Sequence, residues 1–238
     1  MTAIILFMAV IAIIAGWWLS QQRLAAKPWL EEGVLADERV GTPPLPSAKI
    51  GLGVFLAVAG SLFALFISAY SMRMAVFDWR SLPMPRLLWF NTAVLIISSG
   101  ALQWAVIASR RNDSDRNDSD NVLIGLLAAG ISAIVFLIGQ LLAWQQLNAA
   151  GYLLAANVAI AFFYLLTAVH GVHVLGGLVA LGRTTTKAWR GVGIPQLRLS
   201  VELCAMYWHF LLLVWLVLLA LLTGWADDVV AICRQLLG

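Results

Sequence analysis

Polar and apolar residues are sorted along this chain into long blocks, with little alternation inside them. Uncharged apolar runs cover Ile50–Met72, Leu87–Ser109 and Leu203–Ala226, each long enough to cross a bilayer as a helix. Between Asp120 and Arg183 lie 62 residues without a formal charge. One helix of that length would reach about 93 Å, roughly three hydrocarbon thicknesses, so the run predicts two spans. The break belongs at Gln145–Tyr152, where polar groups and Gly151 sit between Trp144 and Tyr152. With an apolar run after the N-terminal Met, the pattern predicts six helices, at about 2–20, 50–72, 87–109, 122–143, 153–181 and 202–224. The fold class is therefore all-α, an integral membrane bundle.

Composition agrees with this reading. Of 238 residues 62% are hydrophobic and 11% charged, against about 45–50% and 25% in soluble domains. Arg23 is the first positive charge and follows the apolar run, and no clear small-residue cleavage site closes that run, so it reads as a retained anchor. Residues 1–22 are then an N-terminal helix and 23–47 a cytoplasmic linker ending in Pro43-Pro44-Leu45-Pro46. Residues 48–226 form a five-helix core and 227–238 a short tail. Segments 21–49, 110–121 and 183–201 hold four, three and four Lys/Arg, while the alternate segments hold far fewer. The positive-inside rule puts both termini outside. The net charge of +3 is thus a product of topology, and no nucleic-acid partner is expected. The eleven tryptophans fall largely at span ends, as an aromatic belt does.

Several motifs come to nothing. The repeat Asn112-Asp113-Ser114-Asp115-Arg116 followed by Asn117-Asp118-Ser119-Asp120-Asn121 has acidic spacing, but Asp118 stands where a calcium loop needs glycine and Ile124 where it needs glutamate. It reads as a solvated turn. Cys204 and Cys233 suggest neither a disulfide framework nor a thiolate site. Phosphate-loop, HExxH and Gly-x-Ser-x-Gly patterns do not occur.

Polar groups inside spans need a physical reason. His170 and His173 share a helix face, as do Glu202 and His209. His173 and His209 lie at matched depth, about 10–12 Å from the 183–201 loop. Two readings stand: a His/His/Glu metal or proton-relay cluster, or a bis-histidine haem, against hydrogen bonds that lock helices together. Arg198, one turn before Glu202, would pair with it. Gln103, Gln140 and Asn157 read as interhelical glue.

Three motifs carry a family resemblance. Glu202-Leu203-Cys204-Ala205-Met206-Tyr207-Trp208-His209-Phe210, continuing to Val214-Trp215, resembles the last helix of subunit III of haem-copper cytochrome oxidases, where a glutamate precedes Tyr-Trp-His-Phe-Val-Asp and Val-Trp. His170-Gly171-Val172-His173-Val174 resembles the family's His-Gly-x-His-Val. Asn91-Thr92, Ser98-Ser99 and Trp104-Ala105 resemble its Asn-Thr, Ser-Ser, Trp-Ala helix. The resemblance covers about residues 48–226 and implies a divergent, bacterial-type, non-redox subunit of a proton-translocating terminal oxidase that reduces oxygen to water. It implies no haem or metal in this chain, with haem and copper in the partner subunit I and copper also expected in subunit II. Partners would be subunits I and II and membrane phospholipids, in a bacterial inner membrane. Glu202, His170, His173 and His209 would be structural or tuning positions. Two family acids are missing, since Ile50–Met72 has no acid and Leu212 replaces the Asp. Alternatives are an accessory subunit of a nitric oxide reductase or quinol oxidase, or a six-span transporter, although prolines fall outside every expected span.

Overall fold

In the computed structural model, residues 47–74, 86–110, 116–152 and 158–224 are described. They form five helices: α1 (Ser47–Met74), α2 (Leu87–Arg110), α3 (Arg116–Ala149), α4 (Val158–Trp189) and α5 (Ile194–Leu222). All five are long and apolar enough to cross a membrane. The expected N-terminal helix, most of the linker, the C-terminal tail, Cys233 and Asn157 lie outside the described residues.

The helices run longer than expected wherever the chain leaves the hydrocarbon. α3 begins at Arg116, inside the repeat read as a turn, and α5 begins at Ile194, eight residues before the expected start at 202. Hydropathy marks where the membrane is, whereas backbone hydrogen bonding continues into water until something stops it. Asn, Asp and Ser at 117–120 suit a helix N-terminus, which favours negative charge. Arg183 and Lys187, expected in a loop, instead extend α4, and Lys187 in its last turn complements the negative end of the helix. The expected loop 183–201 shrinks to four residues.

Glycine ends both helices where the backbone must turn left-handed. Gly151 (φ 86°) follows α3, with Gly151 N–H donating to Asn148 O (3.0 Å) and Tyr152 N–H to Leu147 O (3.0 Å). Gly191 (φ 73°) repeats the arrangement after α4, with Val192 N–H donating to Lys187 O (3.3 Å). α5 then starts with proline in its first turn, where a missing N–H costs nothing.

The chain divides into two compact units at Ser61/Leu62, within α1. Of the first, residues 47–61 are described, an apolar stretch of helix. In the second, α2 packs on α3 and α5, and α4 packs on the same two, giving a closed antiparallel circuit of four helices. Phe63 and Tyr70 of α1 join it from outside, Tyr70 edge-on to Phe162 at 5.7 Å. Trp208, Trp215, Phe136 and Phe163 are the largest fully buried side chains. Since lipid is as apolar as these residues, the circuit is held by close packing and hydrogen bonds more than by the hydrophobic effect. Gly125 lies where a Cβ would come within 2.9 Å of Ala101 O and Ala105 Cβ, so α2 and α3 meet backbone to backbone.

Candidate functional site: the polar interior of the helix circuit

His170 is fully buried at the centre of the second unit. Its Nε2 lies 3.1 Å from Leu211 O on α5, and because a carbonyl only accepts, this nitrogen carries the proton and donates. The ring is enclosed by Phe136 (5.7 Å), Trp215 (5.1 Å) and Phe63 (6.4 Å). Trp215 in turn stands edge-on to Phe136 at 5.0 Å and donates from Nε1 to Thr92 Oγ1 (2.9 Å), tying α5 to α2. Thr92 passes its own proton to Leu88 O (2.8 Å).

Other buried polar groups bond across the same interfaces. Asn91 Nδ2 reaches Gln140 Oε1 at 3.5 Å, and Ser98 Oγ donates to Ala129 O at 3.0 Å, both joining α2 to α3. Gly139 makes room for Asn91, whose amide a Cβ there would overlap. Trp144 Nε1 donates to Thr167 Oγ1 (3.1 Å) and Tyr164 OH to Asn148 Oδ1 (3.2 Å), joining α3 to α4. Between α4 and α5, Tyr207 OH donates to His173 O (2.8 Å) and Thr184 meets Cys204 Sγ (3.4 Å). Each interface of the circuit thus holds polar bonds in a setting where an unmade bond is expensive.

The histidines do not converge. His173, half-buried against Phe63 at 5.3 Å, donates from Nδ1 to Val169 O of its own helix (2.8 Å). His209 does the same to Ala205 O but sits on the exposed side of α5. Tyr207, and not His209, is the α5 residue that meets His173; His209 is two residues further on and its side chain points about 200° away. Among the described residues no three His, Cys, Asp or Glu side chains gather as a metal-holding group. The bonds of this arrangement tie neighbouring helices together.

Glu202 has the expected partner and a second one. Its Oε1 accepts from Arg198 Nε (3.4 Å) and from Arg110 Nε at the end of α2 (3.1 Å). Spacing along one helix made Arg198 visible; Arg110 required knowing which helices are neighbours. Glu202→Gln should lower the melting temperature in detergent by about 2–4 °C at most, because both guanidiniums are half exposed and screened. Arg110→Gln should reproduce more of the loss than Arg198→Gln, since it alone joins two helices; a thermal-shift comparison of the three variants decides this. Gln140 is glue, as expected, but Gln103 is exposed on the outside of α2.

Several of the interhelical bonds are made by residues of the motifs quoted above, among them Asn91, Thr92, Ser98, His170, Tyr207 and Trp215. The family model described as cytochrome c oxidase subunit III matches residues 53–227, most of the chain. The chain belongs to the cytochrome c oxidase subunit III family. It is 31% identical over 180 residues to the cytochrome c oxidase subunit 3 of Synechocystis sp., covering 72% of each chain. It is 32% identical over 133 residues to that of Thermostichus vulcanus and 29% over 131 residues to the probable subunit 3 of Mycobacterium tuberculosis. Those alignments span 62% and 60% of the relatives' lengths, and 56% and 53% of this chain. Within this subunit III fold the quoted motifs acquire a physical meaning. Asn91, Thr92, Ser98 and Trp215 make bonds between helices or inside the circuit, His170 spans α4 and α5, and Ala105 is fully buried at the α2–α3 contact. Trp104 and His209 are exceptions, both exposed on the outer face.

Proposed function

We propose that this chain is the non-redox subunit of a respiratory haem-copper terminal oxidase, packed beside a larger subunit I that carries the haem and copper and reduces oxygen to water. It would also neighbour a subunit II, and lie in a bacterial inner membrane with both termini on the periplasmic side. Its contribution is mechanical: it stabilises subunit I and shapes the lipid and oxygen approach to it, with no catalytic centre of its own. His170, His173 and Glu202 then serve as fixed points of the bundle.

The observation that carries this reading is that the bonds of His170 and Glu202 tie helices of the bundle together, through Leu211 O and Arg110. The clustering of Arg110, Arg183, Lys187, Arg190 and Arg198 at the end where α2 and α4 finish and α5 begins supports the orientation, by the positive-inside rule.

The test is purification of the tagged chain from native membranes in mild detergent. Partner mass spectrometry, a reduced-minus-oxidised spectrum and oxygen uptake are then read on one preparation. The expected result is a larger haem-bearing partner and oxygen consumption. Haem stoichiometric with the chain recovered alone, or a colourless chain without partners, would overturn the proposal.

A further inference from the structure

The outer face of the α2/α5 pair carries polar groups that packing among the described residues does not use. Arg110 and Glu202 join the two antiparallel helices at 3.1 Å. Gln103 lies seven residues before Arg110, and His209 seven residues after Glu202. Seven residues are two turns, so Gln103 and His209 share the faces of their helices with that ion pair and lie at one depth, about 10 Å into the span. Both are exposed. Neither has an interhelical bond among the described residues; His209 uses Nδ1 on its own backbone. Gly100, one turn from Gln103, is exposed too, and a Cβ there would meet nothing within 4 Å.

Charge adds a second constraint. Arg110 and Arg198, 56% and 47% exposed, share one carboxylate that is 12% exposed, so both guanidiniums stay open on the outside of the bundle to a further acceptor. An acyl chain cannot satisfy an amide and an imidazole two turns below that charge, whereas a helix can satisfy both levels at once. Phospholipid accounts for the upper level only.

We infer that this face of α2 and α5 docks a transmembrane helix of another polypeptide, one with an acidic residue at the Arg110 level and a hydrogen-bonding side chain two turns deeper, approaching closely over Gly100. The inference deepens the proposed function, because the helix would then belong to a subunit of the same complex. The other exposed face, on α3, is wholly aliphatic at Ile124, Leu127, Ile131, Ile134 and Ile138 and offers lipid nothing to avoid.

A benzophenone amino acid at Leu213, one turn beyond His209, would be irradiated in native membranes, with the same probe at Ile131 as comparison. The expected outcome is a heteropolymeric protein adduct from Leu213 and lipid adducts from Ile131. The Gln103→Leu/His209→Leu double variant should cut the protein adduct about ten-fold while the amount of chain in the membrane stays constant. Should that variant fail to accumulate, Gly100→Phe gives the same reading by steric block, since the free chain has space for the ring. Lipid-only adducts at Leu213, an adduct with a second copy of this chain, or a protein adduct that neither variant diminishes would overturn the inference. Haem and oxygen uptake are measured in the same membranes. Oxidase activity with no protein adduct at Leu213 sinks this inference alone, while a variant-sensitive protein adduct in a complex that holds no haem and consumes no oxygen sinks the oxidase reading alone.

Discussion

Trp215→Ala should lower the melting temperature of the purified subunit by about 5–12 °C, the largest effect expected from a single truncation in this chain. Trp215 is 1% exposed and has three duties: its ring meets His170 at 5.1 Å and Phe136 at 5.0 Å, and its Nε1 donates to Thr92. Removing the ring opens a cavity between α2, α3, α4 and α5 together, where no single side chain can collapse into the gap. The transfer part of the usual Trp→Ala cost is reduced, because lipid is apolar, and about 2–4 kcal/mol of lost packing and hydrogen bonding remains. Thr92→Val separates the two terms. It keeps the volume and leaves Trp215 Nε1 without its acceptor in a buried site, so it should cost about 1–2 kcal/mol. Differential scanning fluorimetry in one detergent would rank them Trp215→Ala, Thr92→Val, unaltered chain. Equal melting of all three would mean that the bundle is not centred on this ring.

How much of this was readable in advance depends on the kind of information each feature needs. α2 was expected over 87–109 and occupies Leu87–Arg110, because prolines and charges at both ends coincide with the helix ends. α3 and α5 began before their expected starts, and α3 and α4 ran past their expected ends, because those terminal turns carry polar residues, and hydropathy follows the hydrocarbon and not the hydrogen bonds. Gln140 was legible from its place in a span, and the rest of the polar interior through resemblance: Asn91, Ser98 and Trp215 form a recognisable pattern, yet nothing in their spacing says that they bond to Gln140, Ala129 and Thr92. Rotation about a helix axis was the deepest gap. Gln140 and Gln103 are the same residue type in neighbouring spans, and one is buried while the other faces outward. His173 and His209, expected at matched depth, differ in azimuth, since the face of α5 that meets α4 is set by Cys204, Tyr207 and Leu211.

Gly177→Leu should prevent α5 from seating on α4, and Gly176→Leu, one residue away, should be close to neutral. A Cβ at Gly177 would stand 2.7 Å from ring atoms of both Trp208 and Tyr207, a separation that real Cβ atoms do not adopt. Neither ring can swing aside: Trp208 is 1% exposed, and Tyr207 is pinned by its hydroxyl to His173 O at 2.8 Å. Alanine at 177 should already cost about 1–3 kcal/mol, as overpacking does, and leucine must push the helices apart. That displacement would carry Leu211 away from His170 and Glu202 away from Arg110, breaking α4–α5 and α2–α5 bonds in one step. Gly176 has nothing within 4 Å and is exposed, so leucine there gains helix propensity and meets lipid. Immunoblots of membranes and of detergent extracts give the comparison. The Gly177→Leu chain should be reduced at least about ten-fold in the folded, extractable fraction, with Gly176→Leu at the level of the unaltered chain. Equal recovery of the two would show that α4 and α5 do not depend on this contact, and with it the rigid placement of the α5 outer face would fall.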